Sequence, residues 1–95
     1  MNMCNDTAVI DEIRTRLQYI RKLLEQGSVD MLHQLRKSGE FLEGIQYDKA
    51  VFETTNAIQL TNVAVENILN VEKFLDELSE ILIEYEKCSF SLEGI

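Results

Sequence analysis

From Tyr47 to Lys87 the chain carries a fixed apolar register that is typical of one long helix. One row recurs every seventh residue, and a second row follows four residues later, so a single stripe faces one direction over many turns. No Gly or Pro interrupts the run, which at 1.5 Å per residue would be about 60 Å long. The rows are Ala50, Ala57, Ala64, Val71, Leu78 and Tyr85, and Thr54, Thr61, Ile68, Leu75 and Leu82. We therefore predict a helix over about 47–88.

A similar spacing predicts a first helix over about 7–40. Its stripe stays in phase across Gly27, although a glycine in mid-helix costs about 1 kcal/mol relative to alanine. The preserved phase favours one long helix. The alternative is a break at Gly27, with Ser28 as the N-cap of a short helix, which would give a three-helix arrangement. The stripe consists of Ile10, Ile13, Leu17, Ile20, Leu24, Gly27, Met31, Leu35 and then Phe41 or Leu42.

The reversal between the two helices is predicted at about 41–46, within the stretch 38–45 that holds Gly39 and Gly44, two of the four glycines. Leu42 and Gly44 are the candidate turn residues. A connection this short makes the flanking helices antiparallel neighbours. The expected fold is all-α, a single helical-hairpin domain over residues 1–95 with a flexible tail at 89–95.

The apolar band of the second helix is wider than the seam of a two-stranded coil, because Val51, Ile58, Val65 and Leu69 add a second edge to it. A hairpin cannot bury such a band from both of its helices, so we expect two hairpins to pair into a four-helix bundle. The partner is expected to be a protein, either a second copy or another helical chain. The predicted pairing interface consists of Ala50, Ala57, Ala64, Ile68, Val71, Leu75, Leu78 and Leu82.

Composition and charge narrow the possible partners. The net charge is −8 and is uneven, since residues 1–39 carry six Arg/Lys and five Asp/Glu, whereas residues 40–95 carry three and twelve. An acidic chain is not expected to bind nucleic acid or anionic membranes through a basic surface. No apolar run is long enough for membrane insertion. The N-terminal segment does not resemble a cleaved signal peptide, so we expect synthesis in the cytoplasm, with export by another route left open.

No residue pattern indicates catalysis, a cofactor or a metal site. His33 is the only histidine, and the carboxylates of the second helix fall mainly off the apolar stripe, without the Glu-x-x-His motif of di-metal bundles. Phosphate-binding loops and nucleophile motifs are also absent from the sequence. We therefore expect a non-enzymatic protein without a cofactor. Cys4 and Cys88 would lie near each other in a hairpin, and could pair in an oxidising environment or stay reduced.

This layout resembles the WXG-type small proteins of type VII (ESX) secretion over about residues 6–88. Leu42-Glu43-Gly44 stands where that family has its W-x-G turn, and Phe41 and Tyr47 flank it, although the tryptophan itself is missing. Tyr85 resembles the tyrosine of the family's export signal, but the fourth residue after it is Ser89 rather than an acidic residue. The resemblance implies a non-consensus member that pairs as a homodimer or heterodimer in a four-helix bundle, with Tyr85 as the candidate targeting residue and secretion without a cleaved signal.

Two functions follow as hypotheses. The first is an interaction module of the secretion-associated kind, a substrate or an effector companion that acts through helical dimerisation. The second is an acidic cytoplasmic bundle protein with a regulatory role, such as an antitoxin, an adaptor or an inhibitor, which would occupy a basic site on its target by charge complementarity.

Overall fold

The computed structural model describes the backbone of residues 3–93 and the side chains of residues 6–87. Over this part of the chain the protein consists of two helices and no strand: α1 spans Met3–Ser38 and α2 spans Ile45–Glu93. The helices lie antiparallel and form a hairpin with overall dimensions of 77 × 16 × 15 Å. The prediction of an all-α helical hairpin is therefore confirmed.

Helix α1 continues without interruption across Gly27, so the three-helix alternative is wrong. A Cβ atom at Gly27 would meet nothing within 4 Å, which shows that no neighbouring group in the hairpin requires a glycine there. Ser28 is an internal helical residue rather than an N-cap, and its Oγ atom is buried without a hydrogen-bond partner. The unbroken apolar phase outweighs the modest cost of one mid-helix glycine.

Residues 39–44 connect the helices. The backbone N–H groups of Phe41 and Leu42 both donate to the carbonyl oxygen of Ser38, at 3.0 and 2.8 Å, and so satisfy the end of α1. Gly44 has φ +61°, the left-handed conformation that costs a residue with a Cβ atom about 1–2 kcal/mol. Its carbonyl oxygen accepts the N–H of Asp48 at 3.1 Å, which starts α2 immediately after the reversal.

Helix α2 is longer than predicted at both ends. It begins at Ile45 rather than 47, and it continues to Glu93, so the predicted end at 88 and the predicted tail are wrong as far as residue 93. Ser, Phe, Leu and Glu follow Cys88 without a Gly or Pro, and each added residue extends the hydrogen-bond ladder at little cost. Residues 94 and 95 lie outside the described part of the chain, as do the side chains of Cys4 and Cys88 and hence their proposed pairing.

The seam between the helices is built from two rows of side chains on each helix, all buried or half-buried. On α1 the rows are Ile10, Leu17, Leu24, Met31 and Ser38, and Thr7, Arg14, Arg21, Ser28 and Leu35. On α2 they are Thr54, Thr61, Ile68, Leu75 and Leu82, and Val51, Ile58, Val65, Glu72, Ser79 and Glu86. These spacings of three and four residues are those of a coiled-coil seam.

Candidate interaction surface

The α2 seam is displaced by one residue from the predicted stripe. Ile68, Leu75 and Leu82 face α1 as expected, but the second row begins at Val51 rather than at Ala50. Ala50, Ala57, Ala64 and Leu78 lie half-buried at the edge of the seam, and Val71 is 45% exposed. The single pairing interface predicted from the sequence is therefore divided between the seam inside the hairpin and a surface beside it.

The displacement brings charge into the seam in the half of the hairpin away from the turn. Glu72 is only 6% exposed, and the guanidinium of Arg21 donates to its carboxylate twice, from Nε at 2.8 Å and from Nη2 at 3.3 Å. A second group of Arg21, Nη1, donates to Glu25 at 3.3 Å. This two-point contact between helices satisfies a buried carboxylate that would otherwise be costly to desolvate.

A second charged contact lies next to it. Arg14 donates to Asp76 across the seam and to Asp11 on its own helix, the latter at 2.9 Å. The hydrogen bond to Asp76 raises the pKa of Arg14, and the hydrogen bond to Glu72 raises the pKa of Arg21. Because both pKa values are raised above the ordinary arginine value, the two guanidinium groups stay charged at every pH below it.

These contacts define the charged face of the hairpin, which contains Asp11, Arg14, Glu25 and Asp76 along one side of the seam. The opposite side is lined differently. A shallow groove between the helices there is bordered by Val9, Ile10, Leu78 and Leu82, with Asp6 at its end. The groove shows which residues lie on this second side. Val9 on α1 and Leu78 on α2 border it, so residues at the same helical positions as these two share that side.

We call this second side the apolar face. On α2 most of its bulky residues fall in the half away from the turn, where Phe74 is 60% exposed and Tyr85 is 64% exposed. Nearer the turn the row beside the seam is narrow, because it carries only alanines, and Leu60 is exposed in the next row outward. The exposed apolar residues of this face are Val9, Ile13, Ile20 and Leu23 on α1 and Leu60, Val71, Phe74, Ile81 and Tyr85 on α2.

The hairpin buries very little apolar surface on its own. Among the described residues only Ile10 and Leu75 are buried apolar side chains, at 7% and 8% exposure. Exposed hydrophobic residues scattered singly are normal on proteins, but a contiguous apolar face of this length marks an interaction site.

No group of three His, Cys, Asp or Glu side chains within the described part of the chain could hold a metal ion. His33 is exposed on α1, where Arg36, Lys37 and Glu40 border the same shallow depression. Neither helix, over the residues described, is apolar enough for long enough to cross a membrane.

Several features of this surface were missed by the sequence analysis. The involvement of Arg21 and Glu72 in the seam was not predicted, and neither was the exposure of Phe74 and Ile81. The row from Val51 through Ile58 to Val65 continues at the same spacing into Glu72, which is the signal that could have revealed a polar half of the seam. Because Val71 is apolar, the sequence analysis placed Val71 rather than Glu72 in the seam.

The fold therefore places the protein in the class of antiparallel helical hairpins. One side is the apolar face, and the opposite side carries the ion pairs together with the exposed Leu32, Leu69 and Ile83. No protein-family model matches the sequence, and comparisons with curated proteins and with solved structures give no match either.

Proposed function

We propose that this protein is a non-enzymatic protein–protein interaction module that works by pairing its apolar face with another helical surface. The observation that carries the proposal is that the core is small and the exposed apolar face beside it is large. Among the described residues, Ile10 and Leu75 are the only buried apolar side chains. Ordering a residue costs about 1–2 kcal/mol in backbone entropy, which so small a core offsets poorly. A partner that covers the apolar face would supply the missing burial.

The expected assembly is a four-helix bundle made from two hairpins. Ala50, Ala57 and Ala64 at the edge of the seam allow a second backbone to approach closely, while the bulky residues of the other half supply apolar area. Burial of apolar surface contributes about 25 cal/mol per Å², so a contact along the whole face is the dominant favourable term available to this chain.

The test is a measurement of solution mass by light scattering, with circular dichroism on the same sample. A helical dimer near 22 kDa, twice the 11.0 kDa of one chain, would support the proposal through self-pairing. A poorly folded or aggregating chain that becomes helical on adding a partner would support it through a different protein. A helical monomer whose melting temperature does not depend on concentration would contradict it, because its apolar face would need no cover.

Within this function we propose a role in secretion of the WXG type. Tyr85 supports it, because the side chain is 64% exposed near the end of α2 away from the turn, where another protein can reach it. Because Tyr85 lies at the end of the apolar face, Tyr85→Ala is expected to weaken pairing without abolishing it, which light scattering can check, and to abolish export of the chain from cells that carry a type VII system. Phe52→Ala, which removes another exposed aromatic side chain of α2, is the matched control. Unchanged export of the Tyr85 variant would remove the targeting role.

The acidic surface supports a second candidate, a regulatory protein that binds a basic site on a target. Glu77, Glu80 and Glu84 are exposed on α2 in the half away from the turn, and the whole chain has a net charge of −8. Binding through such a surface weakens steeply as salt screens the charges beyond about 10 Å at 0.1 M ionic strength. Binding to a target that is insensitive to salt would argue against this function.

A further inference from the structure

We propose that the occupant of the apolar face is a second copy of this chain, related by a twofold axis that passes at the level of Leu23 and Asn67, with the turn of each copy next to the open end of the other. This inference rests on the proposed function, since it names the partner and the register of the same face. It is supported by two sets of complementary residues, one on each helix, and by the register of the hairpin itself.

On α2 the complementarity is between small and large side chains. The edge row runs Ala50, Ala57, Ala64, Val71, Leu78, Tyr85, so its first half is small and its second half is bulky. A twofold axis midway between Ala64 and Val71 places each alanine opposite one bulky residue of the other copy: Ala64 opposite Val71, Ala57 opposite Leu78, and Ala50 opposite Tyr85. The bulky half of one copy then fills the narrow half of the other, which produces a contact of even width.

The next row outward on α2 fits the same axis. Leu60 and Phe74 are both exposed and lie at equal distances along the helix from Asn67. Leu60 of one copy therefore lies opposite Phe74 of the other. The two Asn67 side chains meet at the axis, where each amide can both donate and accept a hydrogen bond.

On α1 the complementarity is of shape and charge. Leu23 is the midpoint between Arg16 and Asp30, which are exposed on the same edge of the helix. An axis at Leu23 places Arg16 of each copy opposite Asp30 of the other, so two ion pairs form. The same axis brings Ile20 opposite Gly27, where a Cβ atom would meet nothing within 4 Å and the open space can receive the larger side chain.

The two helices arrive at the same axis independently. Within one hairpin the register follows from two contacts between the helices. Moving nine residues toward the turn from Arg14 and Asp76 reaches Leu23 and Asn67, and moving two residues from Arg21 and Glu72 reaches Leu23 and Asn70, so Leu23 lies level with Asn67 to within about one helical turn. The residue pairs on α1 and the residue pairs on α2 therefore indicate the same position of the twofold axis along the hairpin, although the two sets share no residue.

Charge and area favour this orientation. No charged residue occurs from Thr54 to Val65, whereas the α2 segment from Glu72 to Glu86 is strongly acidic. The proposed orientation lays residues 72–86 of each copy over residues 49–63 of the other, which carry one lysine and one glutamate, so the two acidic segments lie at opposite ends of the assembly. One whole side of the hairpin measures 77 by 16 Å, which sets an upper limit of about 1,200 Å² on the contact, compared with the roughly 800 Å² that each partner buries in a standard interface.

The first test uses charge reversal in the full chain. Arg16→Asp and Asp30→Arg are each expected to weaken the dimer, because both exposed contacts change from attraction to repulsion, which raises the dissociation constant about tenfold. An equimolar mixture of the two variants is expected to recover the affinity, because each heterodimer contains two restored pairs. Lys22→Asp, a reversal on the same helix away from the apolar face, is the control and is expected to change the affinity much less.

The second test is a cross-link at the axis. In a chain with Cys4→Ser and Cys88→Ser, Asn67→Cys is expected to form a disulfide-linked dimer on mild oxidation, and Asn62→Cys, on the charged edge of α2, is not. If the chain is a dimer but neither cross-links at position 67 nor recovers affinity on mixing, the proposed register is wrong and the interaction function is unaffected. If the chain folds only with a different protein, the homodimer is wrong and the interaction function is again unaffected. A stably folded monomer would overturn both proposals.

Discussion

Leu75 is the side chain on which the seam of the hairpin depends most directly. Replacing it with alanine removes three carbon groups from a site that is 8% exposed, and each buried group contributes about 0.8 kcal/mol. The transfer loss is therefore about 2.4 kcal/mol. Because the seam borders solvent on both sides, the cavity left behind can partly collapse or fill, so we expect Leu75→Ala to cost about 2–3 kcal/mol, near the lower end for such substitutions.

The measurement is urea unfolding followed by circular dichroism, at one fixed protein concentration because association shifts the apparent stability. Val63→Ala is the control, since Val63 is exposed on the side of α2 away from α1, and its effect should stay within about 0.5 kcal/mol. If both variants unfold at the same urea concentration, the seam described here does not hold the hairpin together.

Three further predictions follow from the same structure. Gly44→Ala should lower stability by about 1–2 kcal/mol because of its positive φ, and Gly44→Asn by less, as measured by urea midpoints. Glu72→Gln should lower the midpoint because it removes the charged partner of Arg21 across the seam and leaves only Glu25 on its own helix. The exposed Glu66→Gln should shift stability by no more than about 0.5 kcal/mol, and equal effects would contradict a structural role for the ion pair. Phe74→Ala should lower the melting temperature at high protein concentration but not at high dilution, and a loss that is independent of concentration would place Phe74 inside the single hairpin.

The sequence predicted the two helices well because helical periodicity is a local property. The phase that continues across Gly27 correctly indicated one unbroken α1, and the glycines near residue 40 correctly placed the reversal. The end of α2 was predicted less well, since an uncapped helix has no local signal before Gly94 that would stop it.

The faces of the helices were only partly predictable. The apolar stripe of α2 is wide enough that either of two adjacent rows could face α1. Because Val71 is apolar and Glu72 is charged, the sequence favoured the row through Val71 for the seam. The choice between them depends on what the opposite helix presents at the same level, which is Arg21. A side chain from a distant part of the sequence therefore satisfies the buried carboxylate of Glu72, which the pattern of α2 alone could not indicate.

By itself the sequence determined that this chain forms two long antiparallel helices with more apolar surface than they can bury together, because periodicity, the absence of helix breakers and the position of the glycines all act locally. The tertiary structure decided which residues fill the seam and which remain exposed. It divided the predicted stripe, sending Leu75 inward and leaving Val71 exposed at the edge of the seam. The physical reason is that rotation of one helix against another is fixed by contacts between them, and the ion pairs of Arg14 and Arg21 set that rotation here.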